Sequence, residues 1–176
     1  MRFRWHSVAD ILGQRGLTGV GVEVGVKEGK FSAHLLRTFP KLRMIGVDPY
    51  EVQPTSDEMG YQTYSDWSFS GIMKQLQSNL GPYQDRFELV RKYSAEAAVD
   101  VEDESVDFVF IDAQHTYRGV RDDIELWSKK IRPGGVLCGH DYDFTRPRFA
   151  DVIRAVDEFA GPVETADDHV WWKQLC

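Results

Sequence analysis

Cysteine is scarce: only Cys138 and Cys176 occur in 176 residues. Two cysteines make no disulfide framework, and Cys138 sits in an apolar strand pattern, so a reducing, cytoplasmic setting is expected. No apolar run approaches the ~20 residues of a membrane span. The opening Met-Arg-Phe-Arg-Trp-His is followed by no apolar stretch of the secretory kind. A basic excess is also lacking, since 28 acidic residues face 21 Lys and Arg and the formal net charge is −7. Following a phosphate backbone needs the opposite sign, which argues against nucleic acid as a partner. Internal repeats and low-complexity tracts are absent too. The 42% apolar and 28% charged residues are ordinary globular proportions, which speaks against disorder. The length suits one domain over residues 1–176.

What is present alternates. Short β-branched runs at Val20–Val24, Met44–Val47, Phe87–Val90, Val106–Ile111 and Val136–Cys138 read as strands. Helical spacing separates them. Phe31, Leu35, Leu36 and Phe39 form one stripe, Ile72, Met73, Leu76 and Leu80 another, and Val120, Ile124, Trp127 and Ile131 a third. A short helix is expected over Ser94–Val99, and a later one on Phe149, Ile153, Val156 and Phe159. Pro133-Gly134-Gly135 is expected to end the third helix, and residues 163–165 and 170–174 to close the fold as a hairpin. Five βα units and a hairpin predict an α/β fold: a mostly parallel sheet with helices on both faces. In the Trp171-Trp172 pair, one ring is expected to face inward and one outward on an edge strand. Residues 51–69 break the rhythm, with Tyr61, Tyr64, Trp67 and Phe69 in a polar stretch. A loop of that length is usually functional or disordered, and this one is expected on the acceptor side.

Ligands of open α/β sheets bind beyond the carboxyl ends of the strands. A dinucleotide fingerprint, G-x-G-x-x-G, is missing from the first of these ends. The chain has Glu23-Val-Gly25-Val26-Lys-Glu28-Gly29 instead. Carboxylates there would repel a pyrophosphate and suit a cationic, amino-acid-bearing ligand. Asp48 ends the second strand before Pro49 and Tyr50, where a carboxylate can accept both hydroxyls of a ribose diol. A phosphate-free nucleoside fits best, and S-adenosylmethionine is the obvious one. A bare turn at Gly25 and Gly29 is the plainer alternative.

Val22-Glu-Val-Gly25, Ile45-Gly-Val-Asp48-Pro-Tyr50, Phe110-Ile-Asp112-Ala-Gln-His115-Thr-Tyr117 and Pro133-Gly-Gly135 through Gly139-His140-Asp141-Tyr142 together resemble class I S-adenosylmethionine-dependent methyltransferases. The likeness is greatest to the small subgroup related to macrocin O-methyltransferase and cephalosporin-hydroxylase-like proteins, and it spans roughly residues 18–160. It implies a seven-stranded Rossmann-like sheet in the order 3-2-1-4-5-7-6 with the last strand antiparallel. It also implies that Glu23, Gly25 and Asp48 hold the cofactor, with Ser94 near the adenine. Val26, Glu28, Gly29, Pro49, Tyr50 and Asp112 join that cofactor-binding set by position. Many members methylate hydroxyls of sugars or natural products, and several use a divalent metal. Two departures stand out: His140-Asp141 replaces the paired acids common after the fifth strand, and the apolar pattern ahead of the first strand covers only residues 7–12.

Asp112 and Asp141 end neighbouring strands, about 4.8 Å apart in a sheet. Two such carboxylates share either a proton or a cation. Mg²⁺ or Mn²⁺ on Asp112, Asp141 and His140 would accept an acceptor diol and ease its deprotonation. His115, three residues past Asp112, is the expected general base, with capping of the following helix as its alternative; His140 is a third ligand or second base. His6, His34 and His169 are expected on the surface or in packing. The expected activity is O-methylation of a sugar or glycan acceptor. A catechol-type small-molecule O-methyltransferase and a non-catalytic nucleoside-binding accessory domain are the alternatives. A glycosyltransferase is the macromolecular partner or parent chain that this reading favours, and a homo-oligomer is compatible with it.

Overall fold

The computed structural model describes residues 2–50 and 69–176. Seven strands form one sheet in the order β3-β2-β1-β4-β5-β7-β6. They are β1 Val20–Val24, β2 Arg43–Val47, β3 Phe87–Val90, β4 Val106–Ile111, β5 Ile131–Gly139, β6 Glu164–Ala166 and β7 Val170–Gln174. The first five run parallel to one another, and β7 is antiparallel to both β5 and β6. The helices are α1 Arg4–Arg15, α2 Lys30–Thr38, α3 Phe69–Leu80, α4 Ser94–Asp100, α5 Tyr117–Trp127 and α6 Ala150–Ala155. The class and strand order are those expected from the sequence.

A parallel sheet covered on both faces needs strands that are apolar on both sides. All six residues of β4 are buried. Phe108 and Phe110 enter the core beneath α1, α2 and α3, and Val109 and Ile111 enter the core beneath α5 and α6. Phe110 stacks on Phe31 of α2 with ring centroids 4.0 Å apart. α5 buries Val120, Ile124 and Trp127, the stripe read from its spacing.

Three details differ from the sequence expectation. β5 begins at Ile131 and runs through Pro133-Gly134-Gly135 rather than after it. The register slips between Val106↔Ile131 and Phe108↔Val136, and Gly134 takes φ 80°, so a bulge absorbs the turn-forming residues inside the strand. Trp171 and Trp172 are both buried, one in each core, because β7 lies between β5 and β6 and not at the edge. α1 extends three residues beyond the apolar pattern at each end. Polar contacts begin it: the Arg4 N–H donates to Asp168 Oδ2 at 2.8 Å and Ser7 Oγ to the Asp167 carbonyl at 3.0 Å. These acids sit in the β6–β7 turn, where Asp168 and His169 are both left-handed, the conformation favoured in tight hairpins. Because β7 is antiparallel to β5, that turn lies at the edge where the parallel strands end.

Candidate active site

Beyond Val24 the chain turns at once. Gly25 adopts φ 93° and donates its N–H to the Val47 carbonyl at 2.9 Å. A Cβ on Gly25 would lie 2.2 Å from the Asp112 carbonyl oxygen, so only glycine lets the ends of β1 and β4 pass this closely. Asp48 then gathers the loop. Its Oδ2 accepts the N–H groups of Val26 at 3.1 Å and Lys27 at 3.0 Å, and its Oδ1 accepts that of Tyr50 at 2.9 Å. Lys27 and Tyr50 are left-handed, at φ 52° and 49°, and the Tyr50 hydroxyl donates to the Lys27 carbonyl at 2.7 Å. These bonds hold backbone shapes that non-glycine residues seldom adopt. Pro49 lies between the two anchored residues. Glu28 pairs with Lys30, and its carbonyl accepts from Asn79 at 2.8 Å, while Gly29 starts α2.

Glu23 is buried at the end of β1, its carboxyl bonded by the Ser32 hydroxyl. Burial pushes its pKa up to about 8; the Ser32 bond opposes this, Asp112 adds to it and Arg4 offsets it. A ligand ammonium arriving here would supply the missing counter-charge and draw Glu23 into its ionised form.

The second half of the site lies where β4 and β5 end. Ile111 pairs with Gly139, so Asp112 and His140 emerge side by side. Asp141 follows in a left-handed conformation, φ 62°. His115 Nε2 stands 2.7 Å from Asp141 Oδ2. One ligand atom each from Asp112, His115 and Asp141 falls within 4.8 Å of the others. This trio differs from the expected Asp112, Asp141 and His140. His140 Nδ1 instead lies 3.1 Å from Asp141 Oδ1 and 3.7 Å from Asp112 Oδ1. Burial alone would lower the His140 pKa, but hydrogen bonds to Asp112 and Asp141 and their charge raise it to about 9. In its protonated form His140 is a counter-ion for the two acids. Burial would likewise raise Asp141, but His115 and His140 outweigh it and hold the carboxyl well below the usual range. The alternative of His115 as helix cap is also settled: Thr116 caps α5, its side chain accepting from the Gly119 N–H at 3.0 Å.

The family described as "Methyltransferase domain" matches residues 22–142, more than half of the chain and all of the strand ends just described. The chain belongs to that methyltransferase family. Solved structures share its class I fold at low identity. CalS11, a calicheamicin methyltransferase, aligns at TM-score 0.67 and 16% identity over 95% of this chain and 77% of its own. The O-methyltransferase NovP aligns at 0.65 and 18% over 97% and 77%. An O-methyltransferase from Bacillus cereus, solved with S-adenosylhomocysteine (SAH), aligns at 0.64 and 16% over 96% and 79%. A 53-residue stretch is 43% identical to the uncharacterized protein y4gI of Sinorhizobium fredii, covering 30% of this chain and 6% of that protein.

Ser94 Oγ donates to Asp123 of α5 and accepts from Trp127 Nε1 at 2.7 Å, so its side chain ties α4 to α5. Tyr61, Tyr64 and Trp67, expected to face the acceptor, lie outside the described residues. His169 is exposed, as expected, and its Nε2 is 3.4 Å from Asp143 Oδ2. Sequence reasoning missed Arg4, whose Nε is 3.1 Å from Asp112 Oδ2, and Asp168, whose Oδ2 is 3.8 Å from His140 Nε2. Neither belongs to a local motif, and each reaches the site only through the docking of α1 on the β6–β7 turn.

Proposed function

We propose that this chain is an O-methyltransferase that transfers the methyl group of S-adenosylmethionine to a hydroxyl of a sugar or glycan acceptor. The observation that carries this reading is the meeting of Asp112, His115 and Asp141 beside the Gly25 loop. A sulfonium methyl is already activated, so the protein's task is placement and proton removal. Gly25, Val26 and Asp48 shape the floor for the nucleoside, and Glu23 and Asp112 offer carboxylates to its ammonium. His115 takes the proton of the acceptor hydroxyl as that oxygen attacks the methyl carbon; the carbon–sulfur bond breaks and sulfur keeps the electron pair. Asp141, 2.7 Å from His115, orients the ring and balances its new charge.

Two carboxylates and an imidazole also suit a divalent ion such as Mg²⁺ or Mn²⁺, with Asp112, Asp141 and His115 as the residues to hold it. Such an ion would supply Lewis-acid polarisation of the acceptor hydroxyl. The His115–Asp141 contact supports a second, metal-free form of the same chemistry. For the acceptor, CalS11 is a TDP-rhamnose 3'-O-methyltransferase. Between the segment that follows Asp141 in the chain and α6, a cavity of about 480 Å³ is lined by Asp143, Phe144, Arg146, Ile153 and Arg154, large enough for a sugar-sized group. Association with a glycosyltransferase and self-association belong to the same proposal.

The test is methyl transfer from labelled S-adenosylmethionine to a panel of sugars, sugar nucleotides and catechols, with and without chelator. Transfer to sugars that stops in chelator and returns with Mg²⁺ is expected. Transfer that persists in chelator assigns the chemistry to the His115–Asp141 pair. Preference for catechols overturns the sugar acceptor, and SAH binding without transfer to any acceptor leaves an accessory nucleoside-binding domain.

A further inference from the structure

We propose that Arg4 binds the carboxylate of the amino-acid end of S-adenosylmethionine, making α1 part of the donor site. This rests on the methyl-donor reading above. The strand order distributes the parts of that ligand. Asp48 ends β2, the Gly25 loop follows β1, and the Asp112–His115–Asp141 cluster lies where β4 and β5 end. With the nucleoside over β2 and β1 and the reacting methyl toward the cluster, the amino-acid end falls before β1 and β4. The strand residues there are Glu23 and Asp112, which suit an ammonium and repel a carboxylate. A cation must therefore come from another element.

Arg4 is that cation. Its Nε, 3.1 Å from Asp112 Oδ2, is buried and makes no aligned hydrogen bond. The guanidinium is thus held beside the carboxylates by charge, and a planar, two-oxygen partner is the geometry for which arginine is suited. Its backbone is fixed from behind by Asp168, and Asp167 anchors Ser7 one turn on. The other cation of the loop, Lys27, is exposed at the surface, and desolvation of its ammonium lowers its pKa. A guanidinium, with its planar fork of donors, is the better partner for a carboxylate.

Two ligands separate this role from a structural one. SAH carries the amino-acid end; 5′-methylthioadenosine keeps the nucleoside and thioether and lacks it. Calorimetric titration of the whole chain with both is the measurement, on wild type, Arg4→Gln, Arg4→Lys and Lys27→Gln. Arg4→Gln is expected to weaken SAH about tenfold to a hundredfold, the loss of a charge-assisted hydrogen bond, and to leave 5′-methylthioadenosine within about twofold. Arg4→Lys should recover part of the loss. Equal weakening of both ligands would make Arg4 a prop for α1 and overturn the assignment. So would undiminished SAH affinity, or a loss confined to Lys27→Gln. Wild type that binds neither ligand refutes the methyl-donor reading, and this assignment with it.

Discussion

Asp48, expected from the sequence to accept a ribose diol, is 3% exposed and accepts three backbone N–H groups, so it also builds the loop. Asp48→Ala is therefore expected to cost fold stability as well as ligand affinity. Leaving buried N–H groups without an acceptor costs about 1–3 kcal/mol, a fall of roughly 2–10 °C in Tm for a chain of this size. Thermal melts without ligand check this; an unchanged Tm would show that the loop holds its shape unaided. The cluster residues should behave in the opposite way. Asp112→Asn and His115→Ala are expected to leave Tm within a few degrees and to suppress turnover, His115→Ala by about 10²–10⁴-fold with partial recovery at high pH, where hydroxide replaces the base. A His115→Ala enzyme of full activity would exclude His115 as base and as metal ligand and leave proximity, or an ion held by Asp112 and Asp141 alone, as the source of the rate.

Among elements, the joint between α4 and α5 carries a pH signature. Asp123 is buried, and burial raises its pKa to about 7; the Ser94 hydroxyl opposes this and Asp122 adds to it. In the unfolded chain an aspartate titrates near ~4. Between these values the folded form holds a proton that the unfolded chain has released. The joint therefore contributes most below about pH 4 and progressively less as pH climbs through about 7. Glu23 acts in the same sense up to about 8. Asp123→Asn cannot ionise and can still accept from Ser94, so it is expected to raise Tm at pH 8 and to flatten the decline from pH 5 to 8. A variant less stable than wild type at pH 8 would show that ionised Asp123 is held by partners strong enough to offset its burial. The β1–β4 junction makes a steric counterpart. Gly25→Ala must place a methyl group against the Asp112 carbonyl at a φ that alanine resists, so the two strand ends must part. Loss of SAH affinity with the seven-stranded sheet intact, read by titration and circular dichroism, is the expected outcome.

For the whole molecule, ligand binding and stability are linked. SAH at ~100 times its Kd is expected to add about 2.7 kcal/mol, a rise of roughly 5–10 °C in Tm. NAD should give no rise, because the loop presents carboxylates and no third glycine where a pyrophosphate would rest. A shift with NAD and none with SAH would overturn the reading of this loop. At this scale, the described helices include none long and apolar enough to cross a membrane.

How much was legible beforehand follows from the range of the interactions. Alternating β-branched runs and 3.6-residue stripes report burial within one element, so the strands, most helices and the parallel class could be read without coordinates. Glu23, Gly25, Asp48, Asp112 and Asp141 were legible because each stands at a strand end, and parallel strands bring their carboxyl ends to one edge. The sheet order came from the family resemblance, and the structure bears it out. Tertiary packing alone decided the rest. The bulge at Pro133-Gly134-Gly135 depends on β4 for its register, and the burial of both tryptophans on the place of β7 inside the sheet. His140 meets both acids because Asp112 and Asp141 stand at the ends of adjacent strands and face it. Arg4 reaches Asp112 across 108 residues of chain because Asp167 and Asp168 hold the start of α1. Local pattern records which face of an element is apolar; contacts between charges far apart in the chain leave no periodic trace, and only the folded arrangement reveals them.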